Sequence, residues 1–323
     1  MNYIDVTFEE INNAIFSLYE GNPIIKNFGV SPVVADPSVL TPNDSHDEKW
    51  HLFCHTFLGV YSFDSEDGIN WTNRRKVTPC AMRPDCKYID GTYYLYYERT
   101  ESLLKRGISL IGGKWHSDIC LVTSKDLISW SKPKVIIGYD REYMGGEKGV
   151  SISNPFLTEF EGKYRLYFSA GLTFVEDCGF SEPTHISYAE SNSLVEGFIT
   201  REEPIISPDK DSKYLNICSG CIKVYKLKDS YIALQNGIYK EGDKSHSAIM
   251  LLRSTNGIDF EFVKIFLTPM ETIGKNKDWM KQYVYACNLV YYNGEIRLYF
   301  NARNVSDNLR GRECIGLFSS KVN

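Results

Sequence analysis

Apolar and polar positions alternate along most of the chain in short runs, and the runs recur in a fixed order. Gly59-Val60-Tyr61-Ser62-Phe63, Ile119-Cys120-Leu121-Val122-Thr123 and Ala248-Ile249-Met250-Leu251-Leu252 are three such runs. Each is followed by a polar turn that ends on an aromatic. The turns are Ser65-Glu66-Asp67-Gly68-Ile69-Asn70-Trp71, Ser124-Lys125-Asp126-Leu127-Ile128-Ser129-Trp130 and Ser254-Thr255-Asn256-Gly257-Ile258-Asp259-Phe260. Asp or Asn, often with Gly, between apolar runs predicts strand-turn-strand units. Their return at intervals of several tens of residues predicts an array of similar β units.

A second recurring run sets the number of units. His51–His55, Tyr93–Tyr97, Tyr164–Phe168, Tyr231–Gln235 and Ile296–Phe300 are five similar strands. Turn residues precede most of them: Asp90-Gly91, Glu161-Gly162, Lys228-Asp229-Ser230 and Asn293-Gly294. A short strand lies before each, at Pro37–Leu40, Cys86–Ile89, Pro155–Phe160, Cys221–Leu227 and Leu289–Tyr292. Third strands follow, as at Ile186–Ala189 and Cys314–Phe318. Outer strands are expected at Arg75–Val77, Lys134–Ile137, Pro204–Ile206 and Phe262–Phe266. The pattern predicts an all-β fold, a five-bladed β-propeller of four-stranded antiparallel blades. Two packed β-sandwiches would not require five matched units. Residues 1–30 read as an N-terminal segment, with a short amphipathic helix over Phe8–Tyr19 and a ring-closing strand at Asn22-Pro23-Ile24-Ile25. Residues 31–323 read as the propeller, the whole forming a single domain. Trp71, Trp130 and Phe260 recur with the turns and are read as blade packing.

Composition narrows the partners. The high aromatic content, 14 % with 22 Tyr and 17 Phe, suits strands. A net charge of −5 without a basic block argues against nucleic acid. No apolar run approaches the roughly 18 residues needed to span a bilayer. The opening Met1–Val6 has neither a basic n-region nor an apolar h-region, which predicts no signal peptide and a cytoplasmic protein. Nine cysteines, an odd number, fit reduced thiols better than a disulfide framework. Cys218-Ser219-Gly220-Cys221 is a lone C-x-x-C and reads as buried small residues at a strand start.

In a four-stranded blade, the start of strand one and the loop from strand two to strand three share one end, near the axis. The inner-strand starts are Ala35-Asp36-Pro37, Arg83-Pro84-Asp85, Ser153-Asn154-Pro155, Ser219-Gly220-Cys221 and Cys287-Asn288. The loops begin His55-Thr56, Glu98-Arg99, Ala170-Gly171, Asn236-Gly237 and Asn301-Ala302-Arg303, and the third carries Glu182. Carboxylates, amides, Arg and His collected around an axis suit sugar hydroxyls. Two carboxyl groups can cleave a glycosidic bond as acid plus base or nucleophile. The catalytic candidates are Asp36, Asp85 and Glu182. The substrate-binding candidates are Arg83, Glu98, His55, Asn154, Asn236, Asn288 and Arg303. Each has a plain alternative: Asp36 as a turn cap before Pro, Asp85 as an ion-pair partner, Glu98 as a solvated strand end, His55 as a packed histidine. Glu147 reads as a solvated loop acid. The chemistry requires no metal or other cofactor, and a structural cation on the axis is compatible with it.

The five-unit pattern, Asp36 in Ala-Asp-Pro and Asp85 in Arg-Pro-Asp resemble the five-bladed glycoside hydrolases related to the arabinanases and β-xylosidases (family 43) and the β-fructosidases (family 32). That resemblance implies a carbohydrate substrate. It implies Asp36 as base or nucleophile and Asp85 as a second Asp that tunes acidity or holds hydroxyls. The chain departs from both families at the acid. Family 43 would have Asp at Asn154 and Glu at Ser219-Gly220-Cys221, and family 32 a Glu near Ser153. The acid is therefore expected from a second-to-third strand loop, from Glu182 ahead of Glu98. Other readings are a non-catalytic sugar-binding propeller and a glycan-biosynthesis enzyme using an activated sugar. A sialidase-like reading is weaker, since no cluster of three arginines is evident.

Overall fold

The computed structural model describes residues 2–110, 113–272, 276, 278–307 and 310–322. Five antiparallel sheets form a five-bladed propeller. The inner strands are Ala35–Leu40, Ala81–Ile89, Ile152–Phe160, Cys218–Lys226 and Tyr283–Tyr292. The second strands are Trp50–Thr56, Thr92–Thr100, Lys163–Val175, Tyr231–Glu241 and Glu295–Arg303. The third are Gly59–Ser65, Trp115–Ser124, Phe180–Ser191, Lys244–Ser254 and Glu313–Lys321. Large aromatics on the second strands, among them Phe53, Tyr96, Tyr167 and Tyr299, are fully buried between blades. Each such side chain contributes roughly 1.5–3 kcal/mol by leaving water.

The three repeated turns have one geometry. Ser65 Oγ accepts the Gly68 N–H at 2.9 Å, while Asp67 Oδ1 accepts those of Ile69 and Asn70, each at 2.8 Å. Ser124 with Asp126 and Ser254 with Asn256 do the same. Side chains thus replace the missing backbone partners of a tight turn. Each turn then docks on another blade: the Tyr299 hydroxyl bonds Gly68 O at 2.9 Å and the Tyr167 hydroxyl bonds Gly257 O at 2.7 Å. Trp71 packs edge-on against Tyr299 and Trp130 against Phe53, as blade-packing residues should.

The N-terminal segment differs in detail from expectation. The helix spans only Phe8–Asn13, started by a Thr7–Glu10 capping box, and it buries Phe8 and Ile11. Asn12 and Asn13 are weak helix formers, and the chain becomes extended at Ala14. The closing strand is Ser17–Leu18, paired with Ser319 and Phe318. Asn22–Ile25 extends that edge by other means. The Asn22 amide exchanges two 2.8 Å hydrogen bonds with the Leu317 backbone, and Ile25 bridges Ile315. In blade three the outer strand is Ile199–Thr200, and of the expected Pro204–Ile206 only Ile206 bridges, to Ile186. Two further differences lie on blade two. The helix Leu103–Leu110 sits between its second and third strands, and the strands Gly145–Gly146 and Gly149–Val150 widen its sheet.

All five inner strands share one irregularity near their start. Their pairing slips by one residue between Ala35 and Ser38, Met82 and Asp85, Ser153 and Phe156, Cys218 and Cys221, and Val284 and Cys287. A β-bulge re-aims the side chains beside it. Five of them at one end of the ring build the site.

Candidate functional site

Asp36, Arg83 and Asn154 occupy the bulges of blades one to three, each at left-handed φ, near +54°, +51° and +50°, and each just before a proline. Such backbone costs of order 1–3 kcal/mol per residue and collects at functional sites. Blade four has Ser219-Gly220 at this level. Gly220, at φ +63°, could not be replaced without strain, since a Cβ would lie 2.1 Å from Asn236 O. Blade five has Tyr285-Ala286.

Asp36 Oδ2 lies 3.2 Å from His55 Nδ1, the atom that also accepts the Arg83 backbone N–H at 3.3 Å. The two contacts compete for one nitrogen, which can accept from the Arg83 N–H or donate to Asp36 but cannot do both. Burial pushes the Asp36 carboxyl up. The bond and charge of His55, with Arg83 and Lys223 behind it, outweigh burial and hold it below the ordinary range. Arg83 is ion-paired to the buried Glu98, which also accepts Trp115 Nε1–H at 3.1 Å. Arg83 makes no other side-chain hydrogen bond among the described residues, and its side chain is 24 % exposed, so N–H donors remain for a ligand.

Glu182 stands on strand Phe180–Ser191, paired with Thr173 in an extended hairpin rather than in the loop expected from sequence. Its carboxyl has no hydrogen bond or ion pair among the described residues. Burial is the main influence on it. Arg83 and Arg303 pull its proton affinity down, Glu313 and Asp36 push it up, and the balance brings its pKa to about 7. Asp36 and Glu182 thus face one site from blades one and three, one held ionised and the other inclined to keep its proton.

Two residues not expected from the sequence complete the cluster. Glu313 begins the third strand of blade five and accepts from Arg303 Nη1 and Asn301 Nδ2, at 2.8 and 3.1 Å. Burial raises its pKa against the pull of Arg303. Tyr285 carries a phenol that burial, then Glu182 and Glu313, push well up, leaving a neutral donor. The signal for Glu313 was its register with Arg303, itself a candidate. Tyr285 is hidden by the bulge, which lies before the Cys287-Asn288 expected there.

Three expected site residues do other work. Asp85 is fully buried and pairs with Lys87 Nζ at 2.5 Å and the Leu157 N–H at 2.8 Å, joining blades two and three. It stands two residues beyond Arg83, past the bulge, so it points into the blade contact. Asn288 Oδ1 accepts the Val39 N–H at 2.9 Å, which closes blade five onto blade one. Asn236 Nδ2 donates to Val284 O at 3.0 Å, tying blade four to blade five. Asn154 is at the site level, its amide on Ser153 Oγ at 3.3 Å. Deeper on the axis, the ammoniums of Lys87 and Lys223 lie 4.4 and 4.9 Å from the Phe156 ring centroid. Among the described residues no group of three His, Cys, Asp or Glu side chains could hold a metal ion. No helix among them is long and apolar enough to cross a membrane. Cys218 and Cys221 are buried and unpaired.

No known family profile matches the chain, and no curated protein sequence matches it. Solved structures do. An N-acetylgalactosamine deacetylase from F. plautii, in complex with blood group B trisaccharide, is 11 % identical, with TM-score 0.66 over 96 % of this chain and 95 % of that one. An α-L-arabinofuranosidase from Podospora anserina, in complex with cellotriose, is 14 % identical, with TM-score 0.63 over 94 % and 95 %. A family 117 glycoside hydrolase produced by Zobellia galactanivorans is 14 % identical, with TM-score 0.60 over 96 % and 91 %. At these identities the likeness establishes the five-bladed propeller fold, and it singles out neither family 43 nor family 32.

Proposed function

We propose that the protein is a glycoside hydrolase-like enzyme that cleaves or transfers a glycosyl unit, with Asp36 as base or nucleophile and Glu182 as general acid. The observation that carries this reading is the pair itself. Two carboxyl groups meet at one end of the propeller axis in environments that drive their proton affinities apart, the arrangement an acid–base pair needs. Arg83, anchored by Glu98, offers its remaining N–H groups to a sugar hydroxyl. His55 orients Asp36, and Tyr285 supplies a neutral donor. The carbohydrate-active proteins among the structural neighbours agree in kind with this reading. Nine unpaired cysteines suit a reducing compartment, and we assign the protein to the cytoplasm on that ground.

The test is a screen of aryl glycosides, furanosides included, with Asp36→Asn run beside the wild type. Turnover that falls by roughly 10³-fold in the variant supports the assignment. A melting temperature that rises with particular sugars, without turnover of any, identifies a sugar-binding propeller instead.

A further inference from the structure

The hairpin of blade three is longer than the blade body. Its strands Lys163–Val175 and Phe180–Ser191 stay paired out to Val175 and Phe180, beyond the point where the inner strand pairs with them. A two-stranded ribbon is marginal alone, so its position depends on anchors outside the blade. The structure supplies three. The Asp177 carboxylate, in the tip, accepts the Ser245 N–H at 2.7 Å and the Ser245 hydroxyl at 2.5 Å, both from blade four. Cys178 Sγ lies 2.6 Å from the Tyr283 hydroxyl of blade five. The Phe180 ring meets the Tyr283 ring edge-on at 6.0 Å. The first is a double, charge-assisted contact and the strongest of the three. Glu182 follows the tip by five residues, on the strand these anchors hold.

We infer that Asp177 is a positioning residue for Glu182, clamping the tip of the blade-three hairpin to Ser245 so that the strand bearing Glu182 stays seated on blade four and its half-buried carboxyl meets little water. The inference rests on the glycosidase reading only for the purpose of that shielding, since the clamp itself is a matter of geometry. Releasing the tip lets more water reach the half-buried Glu182, and a better solvated carboxyl gives up its proton more readily.

The test follows the Glu182 carboxyl directly by ¹³C NMR of Glu-labelled protein, its resonance assigned by its absence in Glu182→Gln. In the wild type its midpoint is expected near pH 7. In Asp177→Ala the midpoint falls by roughly one pH unit or more, and amide exchange across residues 172–183 quickens. Ser245→Ala, which keeps the N–H contact, gives a smaller fall and serves if Asp177→Ala does not fold. Ser245→Thr restores the wild-type midpoint. An unchanged midpoint in a variant whose tip exchanges faster reduces the clamp to local structure and overturns the inference, as does an unchanged exchange rate. The titration needs no substrate. A midpoint that moves in a protein without turnover contradicts the glycosidase reading alone, whereas turnover without a moving midpoint contradicts the clamp alone.

Discussion

Glu182 and Glu313 stand near the starts of third strands, on blades three and five, and both face the same end of the axis. Their surroundings differ in one respect. Glu313 has Arg303 and Asn301 as hydrogen-bond partners, with Arg303 at 2.8 Å. Glu182 has none among the described residues, and the cation that pulls most on it, Arg83, is already bonded to Glu98. Burial raises the proton affinity of both. For Glu313 the partners turn that burial into a rigid ion pair. Glu182, without such partners among the described residues, keeps a carboxyl whose pKa stands at about 7. The difference teaches that the proton affinity of an acid in this ring is set by the partners it lacks as much as by its burial.

The largest effect expected from breaking this comparison is on turnover. Glu182→Gln lowers kcat/KM by roughly 10³-fold for substrates with poor leaving groups, with little loss in ligand-induced melting shifts. Glu313→Gln leaves the pH dependence of turnover in its wild-type form. Next in size is Arg303→Met, which strands a buried carboxyl that is 12 % exposed beside its partner at 9 %. Urea unfolding should show a loss of about 3 kcal/mol.

Stability against pH sharpens the comparison further. Folding raises the Glu182 pKa from 4.5 to about 7, so between these values the folded protein holds a proton that the unfolded chain has released. Stability therefore falls as pH rises through that window. Glu182→Gln should flatten the slope, measured by urea midpoints at several pH values. The smallest effect belongs to the rim. Asp67→Ala removes two backbone contacts and costs about 1 kcal/mol, with no change in the pH dependence of turnover.

The blades were legible because their turns are written locally. Ser65 and Asp67 satisfy backbone groups within three residues of themselves, so the same letters recur wherever the same turn does. The two-residue closing strand Ser17–Leu18 carried no such signal, and Asn22, whose side chain imitates a strand, was mistaken for one. Asp36 and Arg83 stood out in the sequence because Pro follows each at the start of an apolar strand, and both lie at the inner-strand bulges. Asp85 and Asn288 were misassigned because a bulge changes which side of the strand each residue takes, and nothing in the letters marks the bulge. Glu313 was missed because its role comes from Arg303 on the neighbouring strand, a pairing visible only once register is known.

The division of labour between Asp36 and Glu182 is tested most directly by the pH dependence of kcat/KM on an aryl glycoside with a poor leaving group, in the wild type and in Glu182→Gln. The account predicts a bell in the wild type, with an alkaline limb near pH 7 from Glu182 and an acid limb below the ordinary carboxylate range from Asp36. The alkaline limb should vanish in the variant while the acid limb stays. An alkaline limb that survives Glu182→Gln unchanged contradicts the account and moves the acid to another residue of the ring.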